Sequence, residues 1–411
     1  MTGVPGAASE VSPGSHAGGP DNALPAGLRG GCNVRHGLQR GLRRVTTPSQ
    51  AARTGGPTVR IGALAPLSRP GWSEAGRHLL AGLELGVREV NDGGGITGRP
   101  VELLVRDTAA DPGGAEAAVA ELAGLGVAAL VGEYHSVAAR AAATRAATLG
   151  VPFLCSSAVL DALVDEPTDL VARIAPPQSR GWRIYGDFLL DAGHDRVAVA
   201  TQPSVYWTAG TRLLREHLEP RGGTITELDM SALTPAALCD ALADDGATAL
   251  LLLLGHPDPV LPVVGAVRRD PRLAGVMLGA PAGQPEFADW AEALGADGAG
   301  VPFLRYLPER FGPLGERVGA ALRTRLAAAP SFVAFEGYDT IAALADVLRE
   351  NTGDPADGRV SWSRADVEGT RGRIRFTRSA GSGVWQWAHP PVQVVDRDPA
   401  RPGGFRVLRT G

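Results

Sequence analysis

The sequence predicts an α/β protein with two lobes, each built on a mainly parallel sheet. Two observations indicate this fold class. From Thr58 onward, short apolar runs alternate regularly with longer segments of helical period, which is typical of α/β units. The chain also has 411 residues, 44% of them hydrophobic and 20% charged, which is enough for two domains that each bury their own core.

Eight apolar runs are predicted strands, and they fall into two sets. The first set comprises Val59–Pro66, Val101–Asp107, Ala128–Gly132 and Pro152–Ser156. The second set comprises Arg196–Thr201, Thr224–Leu228, Ala249–Leu254 and Gly275–Gly279. Each set is expected to form the sheet of one lobe.

A helix is predicted between the first two strands, with Ser73 as its N-cap and its end at Asn91 or Asp92. The glycines that follow match the dinucleotide fingerprint G-x-G-x-x-G, with Gly93, Gly95 and Gly98 in the three positions. That fingerprint must lie between a strand and a helix, because the phosphate binds at the amino end of the helix. Here the order is reversed, so we interpret the glycines as a helix stop and a turn.

Composition excludes several functions. All 40 basic residues are arginine, so the chain has no lysine for a P-loop, a pyridoxal cofactor or a Schiff base. The net charge of −4 gives no footprint for nucleic acid, and the basic run Arg35–Arg44 is interpreted as part of a solvated tail. No cofactor or metal is expected, because Cys32, Cys155 and Cys239 are too few and scattered for a zinc site or a disulfide framework.

Residues 1–57 are expected to be a disordered tail, because they are rich in Gly, Ala, Pro, Ser and Arg and lack apolar periodicity. The tail has no apolar stretch typical of a secretory signal. The segment GLRGGC, which ends at Cys32, is superficially similar to a lipoprotein cleavage site but also lacks that apolar stretch. The longest apolar run, Ala249–Leu254, is too short to span a membrane.

Several motifs in the first half of the chain resemble the bacterial periplasmic binding protein type 1 family. They are V-x-I-G-x-L-x-P-L-S, G-x-E-L-x-V-x-E-V-N-x-G-G-G-I-x-G-R-P-V-E-L and D-x-x-x-D-P. The branch that they resemble is that of the leucine/isoleucine/valine-binding proteins and amide sensors. The resemblance covers about residues 58 to 400 and is densest from Val59 to Ser157.

The resemblance implies two doubly wound lobes, joined by three chain crossings, that close on a ligand in the cleft. Residues 58–177 and 302–368 would form the first lobe, and residues 178–301 and 369–411 the second. The helical segment Ser331–Asn351 would return to complete the first lobe. Three late runs would be strands that finish the second lobe and the hinge: Arg373–Arg378, Val384–Ala388 and Val392–Asp396.

Two serines follow predicted strands, at the sheet edge where open α/β sheets bind ligands. Ser136 and Ser157 are both expected near helix starts, where hydroxyl and backbone N–H groups can bind a carboxylate or amide oxygen. Each serine could instead be only an N-cap. The resemblance implies that Ser136, Ser157, Ala158 and Val159 are ligand-binding positions, although Val159 replaces the threonine of the family.

Aromatic and histidine side chains complete the candidate ligand set. The resemblance implies an aromatic cover at Trp207, with Tyr206 as the other candidate; core packing is the alternative for both. Ala75, His135 and His256 are further candidates. His135 adjoins Ser136, but neighbouring residues at a strand end usually point apart, so no catalytic dyad and no enzyme are predicted.

The amino-acid binders of this family neutralise the ligand's ammonium group with an acid on a loop of the second lobe. Here that loop reads GAPAGQ, Gly279–Gln284, and contains no carboxylate. A buried ammonium without a partner is costly. Glu133 and Asp258 could compensate, but both are interpreted as solvated loop residues. The sequence therefore favours an amide, an acid or another small polar ligand over an ordinary α-amino acid.

The resemblance implies a solute-binding protein that closes on a small polar ligand and presents it to an ABC transporter permease. Such a protein is expected at the cell surface or outside the cell. The absence of a signal segment favours an alternative, a cytoplasmic sensor of the same fold, similar to the amide-responsive regulators. Neither function involves direct contact with nucleic acid or a membrane span.

Overall fold

The chain folds into two α/β lobes and passes from one lobe to the other three times. The computed structural model describes residues 43–45, 58–350, 360–378, 383–401 and 403–411. The crossings lie between residues 174 and 177, between residues 306 and 312, and between residues 388 and 392. The doubly wound architecture and three-crossing hinge that the resemblance implied are thereby confirmed.

The sheet of the first lobe has eight strands in the order β1-β3-β2-β4-β5-β6-β15-β14. The strands are β1 Arg43–Val45, β2 Val59–Ala65, β3 Val101–Asp107, β4 Ala129–Gly132, β5 Phe153–Cys155, β6 Val171–Arg173, β14 Phe376–Thr377 and β15 Trp385–Trp387. All neighbours pair in parallel except β1 with β3 and β14 with β15, which are antiparallel.

Helices cover both faces of this sheet: α1 Ser73–Asp92, α2 Pro112–Gly124, α3 Ser136–Thr148, α9 Pro313–Leu326 and α10 Phe332–Glu350. Strand residues alternate between the faces, as the pleat requires. Ile61 and Ala63 pack in the cluster with α1 and α10, whereas Leu64 packs with α2 and α3. Every one of these strand side chains is fully buried, so the central strands are apolar on both sides.

The sheet of the second lobe is parallel in the order β10-β9-β7-β8, with strands β7 Arg196–Thr201, β8 Thr224–Asp229, β9 Ala249–Leu253 and β10 Met277–Gly279. A parallel bridge from Ala280 to Phe303 continues it into the antiparallel strands β11 Phe303–Arg305, β16 Gln393–Arg397 and β17 Phe405–Thr410. Its helices are α4 Gln178–Asp191, α5 Val205–Leu218, α6 Pro235–Asp245, α7 Val260–Arg269 and α8 Ala288–Leu294.

Two of the late strands were assigned to the wrong lobe. β15 pairs with β6 and carries β14 with it, so both extend the sheet of the first lobe, and only the run Val392–Asp396 joins the second. A small hairpin of β12 Val367–Gly369 and β13 Gly372–Ile374 packs beside α10. By sheet membership, residues 303–305 lie in the second lobe and residues 376–377 and 385–387 in the first, which differs from the expected boundaries.

Part of the expected disordered tail is ordered. Arg43–Val45 pairs antiparallel with β3, which would otherwise leave its outer backbone groups unpaired at the sheet edge. The other residues expected in the tail, including Cys32, lie outside the described residues. Cys155 and Cys239 are free and buried, as expected of core residues.

The helix predicted before the glycine run begins and ends close to expectation. α1 ends at Asp92, and Gly95 has φ +78° where the chain turns towards β3. Ser73 is the first helical residue rather than the cap, which is Trp72. α1 packs closely against α10, because a Cβ at Gly82 would lie 2.0 Å from the carbonyl oxygen of Ala334.

Candidate ligand cleft

A cavity of about 290 Å³ lies between the two lobes. Its lining comprises Ala110, Tyr134, His135, Ser136, Val137, Ser157, Val159, Ser204, Tyr206, Trp207, Gly255, Ala282, Gly283, Gln284, Tyr306 and Phe332. The lining includes six of the nine predicted ligand residues: His135, Ser136, Ser157, Val159, Tyr206 and Trp207. Their role in binding stays a prediction, but the structure brings them to one place.

The first lobe contributes the start of helix α3. The chain leaves β4 at its carboxyl end and enters α3 at Ser136, so the amino end of the helix faces the cavity. No side chain caps this helix end. Ser136 Oγ accepts a hydrogen bond from the Leu160 N–H at 3.3 Å, which leaves the hydroxyl proton free to bind a ligand oxygen.

The second lobe contributes the start of helix α5 in the same way. The helix begins at Val205 after β7, and no side chain caps its amino end. Ser204, Tyr206 and Trp207 all line the cavity. Tyr206 and Trp207 also pack on each other with ring centroids 4.7 Å apart, so both expected aromatic candidates belong to the cleft wall.

Three further aromatic residues line the cavity, and none of them was among the predicted ligand residues. Tyr134 lies two residues before α3, Tyr306 follows β11, and Phe332 is the first residue of α10. The rings of Tyr306 and Phe332 meet edge to face, with centroids 5.0 Å apart. Tyr134 was detectable from its position after a predicted strand. Tyr306 was not, because β11 was not predicted.

No Asp, Glu or Arg is among the residues that line this cavity. The GAPAGQ loop contributes Ala282, Gly283 and Gln284, so the position expected to hold an acid in amino-acid binders is uncharged. Asp258 is exposed, as predicted. Glu133 is fully buried, so its prediction as a solvated residue was wrong.

Glu133 has a structural role. Its carboxylate accepts hydrogen bonds from the Thr108 hydroxyl at 2.6 Å and from the Tyr134 and His135 N–H groups at 2.8 and 3.0 Å. Burial nevertheless raises the pKa of this carboxyl above its usual range. The Glu133 carboxylate therefore stabilises the loop before α3, and it does not line the cavity.

His135 is a neutral member of the wall. Its Nε2 accepts a hydrogen bond from the Trp72 N–H at 3.0 Å, and burial lowers its pKa to about 4. The nitrogen that a general base would use is therefore already occupied. His135 and Ser136 line the same cavity, but their side chains bond to different partners, Trp72 and Leu160.

Ser157 reaches the cavity without a helix behind it. The apolar run after β5 was expected to begin a helix, but residues 157–170 are irregular. The backbone of Leu160 shows why: its N–H donates to Ser136 Oγ and its carbonyl accepts from the Arg173 guanidinium at 2.6 Å. These partners replace the bonds that a helix would have supplied.

Three predicted residues lie outside the cavity. Ala75 and Ala158 are fully buried in the core. His256 lines a second cavity of about 550 Å³ at the mouth of the cleft, together with Trp72, Asp289 and Glu292. This outer cavity shares His135, Gly255 and Gln284 with the inner one, so the two are neighbours.

The lobes touch each other beside the cleft through a carboxylate. Glu74, at the start of α1 in the first lobe, accepts hydrogen bonds from the Ala288 and Asp289 N–H groups of α8 in the second lobe, both at 3.1 Å. Phe287 stacks obliquely against Trp72 at 5.7 Å. Glu74 is only 6% exposed, so this contact is part of a packed junction.

The described part of the chain contains no group of His, Cys, Asp and Glu side chains placed to hold a metal ion. Within the same residues, no helix combines the length and the apolarity that crossing a membrane requires.

The sequence profile of the family described as "Periplasmic binding protein" matches residues 58–389. No curated protein matches the chain in sequence.

Solved structures of similar fold include the branched-chain amino acid transporter substrate-binding protein LivJ from Streptococcus pneumoniae in complex with isoleucine. It is 20% identical with a TM-score of 0.72, and the match covers 85% of this chain and 99% of that one. The leucine-binding protein LivK from Thermotoga maritima is 19% identical with a TM-score of 0.71, over 86% and 98%. An R. palustris solute-binding protein in complex with 4-hydroxybenzoate is 17% identical with a TM-score of 0.71, over 86% and 97%.

Proposed function

The chain belongs to the periplasmic binding protein family, and from this premise we propose that it captures a small carboxylic acid between its two lobes. The proposed ligand has an aromatic or branched apolar body and no ammonium group. The prediction of a binding protein rather than an enzyme is confirmed by the family. The family match does not favour the alternative of a cytoplasmic sensor.

The observation that carries the proposal is an uncharged cavity onto which two helix starts open from opposite lobes. Backbone N–H groups and the positive end of the helix dipole favour an anion at the start of α3 and of α5. The Ser136 hydroxyl supplies a further donor. A carboxylate bound here would contact both lobes only in the closed form. Ligand contacts that are present in the closed form and absent from the open one are what drive closure.

The remaining lining favours an apolar body for the ligand. Tyr134, Tyr206, Trp207, Tyr306 and Phe332 place rings around the cavity. Aromatic side chains bury large apolar areas and stack on flat ligands. The absence of a lining carboxylate disfavours a ligand ammonium, because that charge would lose its hydration without gaining a partner.

Ligands named for the similar structures fall into two chemical classes. Isoleucine and leucine carry an ammonium group, whereas 4-hydroxybenzoate does not. The wall of this cleft suits the second class better. We also propose that the closed form docks on an ABC transporter permease, a partner that the family implies.

The experiment is a thermal-shift screen with benzoate, 4-hydroxybenzoate, 4-methylpentanoate, leucine and acetamide, followed by calorimetric titration of the hits. A ligand selective for the folded state raises its melting temperature by mass action. Ser136→Ala should weaken a carboxylate hit by roughly 10- to 150-fold, because a hydrogen bond to a charged group contributes about 1.5–3 kcal/mol. Trp207→Ala should also weaken it.

Matched controls separate cleft effects from general damage. Ser363→Ala removes an exposed serine that is not part of the cavity lining, and Trp385→Ala removes a tryptophan of β15 that is also outside it. Both should leave affinity unchanged. Full affinity in both Ser136→Ala and Trp207→Ala would show that the ligand binds elsewhere.

A further inference from the structure

Behind the inner wall of the cleft lies a cluster of three buried charged side chains, Glu336, Asp339 and Arg371. The first two lie on α10, and Arg371 occupies the turn between β12 and β13. Glu336 follows the cavity-lining Phe332 by one helical turn, so it lies on the same side of α10. The side chains of all three ion-pair partners have no exposed surface.

The two carboxyl groups are not equally satisfied. Asp339 accepts from the Thr370 N–H at 2.6 Å, from the Thr370 hydroxyl at 2.8 Å and from Arg371 Nε at 2.8 Å. Glu336 Oε1 accepts only from Arg371 Nη1, at 3.1 Å, and Glu336 Oε2 has no hydrogen-bond partner. One guanidinium cannot neutralise two buried carboxylates, so Glu336 is the one that holds a proton more readily.

Ser157 connects this cluster to the cavity. It lines the cavity and is 4% exposed. The neighbouring Ser157 hydroxyl lowers the pKa of the Glu336 carboxyl, opposing the larger effect of burial. Ser157 Oγ nevertheless has no hydrogen-bond partner of good geometry. Buried polar atoms are normally paired, and a proton on Glu336 would give both Ser157 Oγ and Glu336 Oε2 a hydrogen-bond partner.

A hydroxyl group has one proton to donate. Ionised Glu336 can only accept, so it would draw the Ser157 proton away from the cavity and turn lone pairs towards a bound carboxylate. Protonated Glu336 can instead donate to Ser157 Oγ. The Ser157 proton then points into the cavity, where it can bind a ligand oxygen.

We propose that Glu336 is a positioning residue that couples capture of a carboxylate ligand to the uptake of one proton from solvent. The proton resides on the Glu336 carboxyl and, through Ser157, sets the polarity of the inner wall. This proposal rests on the proposed function, because it assumes that the ligand is an anion.

The groups around Glu336 place its pKa within the pH range in which binding can be measured. Burial raises the pKa of Glu336 to about 8, against the opposing effects of Arg371 and Ser157; Asp339 and Glu286 raise it further. The other titratable groups that face it are Cys155, Tyr134 and Tyr306, and burial raises the pKa of each above its usual range. Burial keeps His135 neutral above about pH 4.

Below about pH 7 the free protein already carries the proton, so affinity is flat and no proton is taken up. Above the pKa of about 8 the proton must be acquired on binding. Affinity should then fall by about tenfold per pH unit, and proton uptake should approach one per ligand.

The test is calorimetric titration of the wild-type protein with benzoate and with 4-methylpentanoate, at pH 6 and pH 9, in buffers of different ionisation enthalpy. We expect near-zero proton uptake at pH 6, uptake approaching one at pH 9, and weaker binding at pH 9. Circular dichroism at both pH values verifies that the protein stays folded.

Two variants identify the group. Glu336→Gln keeps an oxygen for Arg371 and donates permanently to Ser157, so it should bind both acids with no pH dependence and no proton uptake. Ser157→Ala leaves Glu336 in place but should also remove the proton uptake, together with affinity at pH 6.

The outcomes separate this proposal from the one on which it rests. Binding without proton uptake at pH 9, or a Glu336→Gln variant with wild-type pH dependence, would overturn the coupling but not the capture of an acid. Failure of both acids to bind at either pH would overturn the proposed function and the coupling with it.

Discussion

Replacing Glu74 by alanine should weaken ligand binding although Glu74 does not line the cavity. Its carboxylate accepts two backbone hydrogen bonds at 3.1 Å from α8 of the opposite lobe, and these exist only while the lobes are together. A hydrogen bond to a charged group contributes about 1.5–3 kcal/mol, but water partly replaces both bonds in an open form. We therefore expect the closed form to lose about 2–3 kcal/mol.

That loss corresponds to roughly 30- to 150-fold weaker binding of a ligand that requires closure. The assay is calorimetric titration with benzoate at pH 6, paired with small-angle X-ray scattering of the ligand-free variant, which should have a larger radius of gyration. Glu102→Ala is the matched control: Glu102 is 9% exposed, but it bonds Arg60 within the first sheet, at 3.2 Å. Unchanged affinity in Glu74→Ala, or an equal loss in Glu102→Ala, would refute the closure argument.

Three further predictions concern packing, pH and specificity. Gly82→Ala should destabilise the fold by about 3 kcal/mol in urea denaturation, because its Cβ would lie 2.0 Å from the Ala334 oxygen; Gly124→Ala, with nothing within 4 Å, should be neutral or slightly stabilising. His78 is buried and neutral, with a pKa lowered to about 4, whereas a histidine in the unfolded chain takes up its proton near pH 6.5. Because the unfolded chain binds this proton first, the free energy of unfolding should fall as the pH drops from about 6.5 to 4. His78→Gln should reduce that slope in denaturation series, and an unchanged slope would contradict the assignment. Ala282→Asp, which places a carboxylate in the cavity wall, should weaken benzoate and improve leucine in a competition assay.

The sequence was most informative for the central strands of each lobe. β2, β7 and β9 bury apolar side chains on both faces and are bounded by turn residues, so their pattern alone identifies them. β6 and β11 have three residues each, which is too short for periodicity to show. β17 has mostly exposed side chains and forms only by pairing with β16.

Long-range pairing explains the errors in lobe assignment. The run that forms β15 has the same local pattern whichever sheet receives it, and its register with Ala172 and Arg173 of β6 is set by contacts more than 200 residues away in sequence. The irregular segment after Ser157 was missed for a similar reason. Arg173 and Ser136 form hydrogen bonds with the backbone of Leu160 from distant positions in the sequence, and no local pattern predicts these bonds.

The candidate site was predictable where it follows strand ends. Ser136, Tyr206 and Trp207 line the cavity because helix starts meet at the carboxyl edges of two parallel sheets. Tyr306 and Phe332 enter the cavity from the segments around the second crossing, and only the assembled hinge brings them there. The buried ion pair between Glu336 and Arg371 joins residues that are distant in sequence, so no local pattern predicts it.

The central claim is that the cleft binds a carboxylate and rejects an accompanying ammonium group. Two pairs of probes that differ only in that group test it: 3-phenylpropanoate against phenylalanine, and 4-methylpentanoate against leucine, each titrated calorimetrically at pH 6. We predict that at least one acid binds with one-to-one stoichiometry and that each amino acid binds more weakly than its matched acid. Tighter binding of phenylalanine or leucine than of the matched acid would contradict the account.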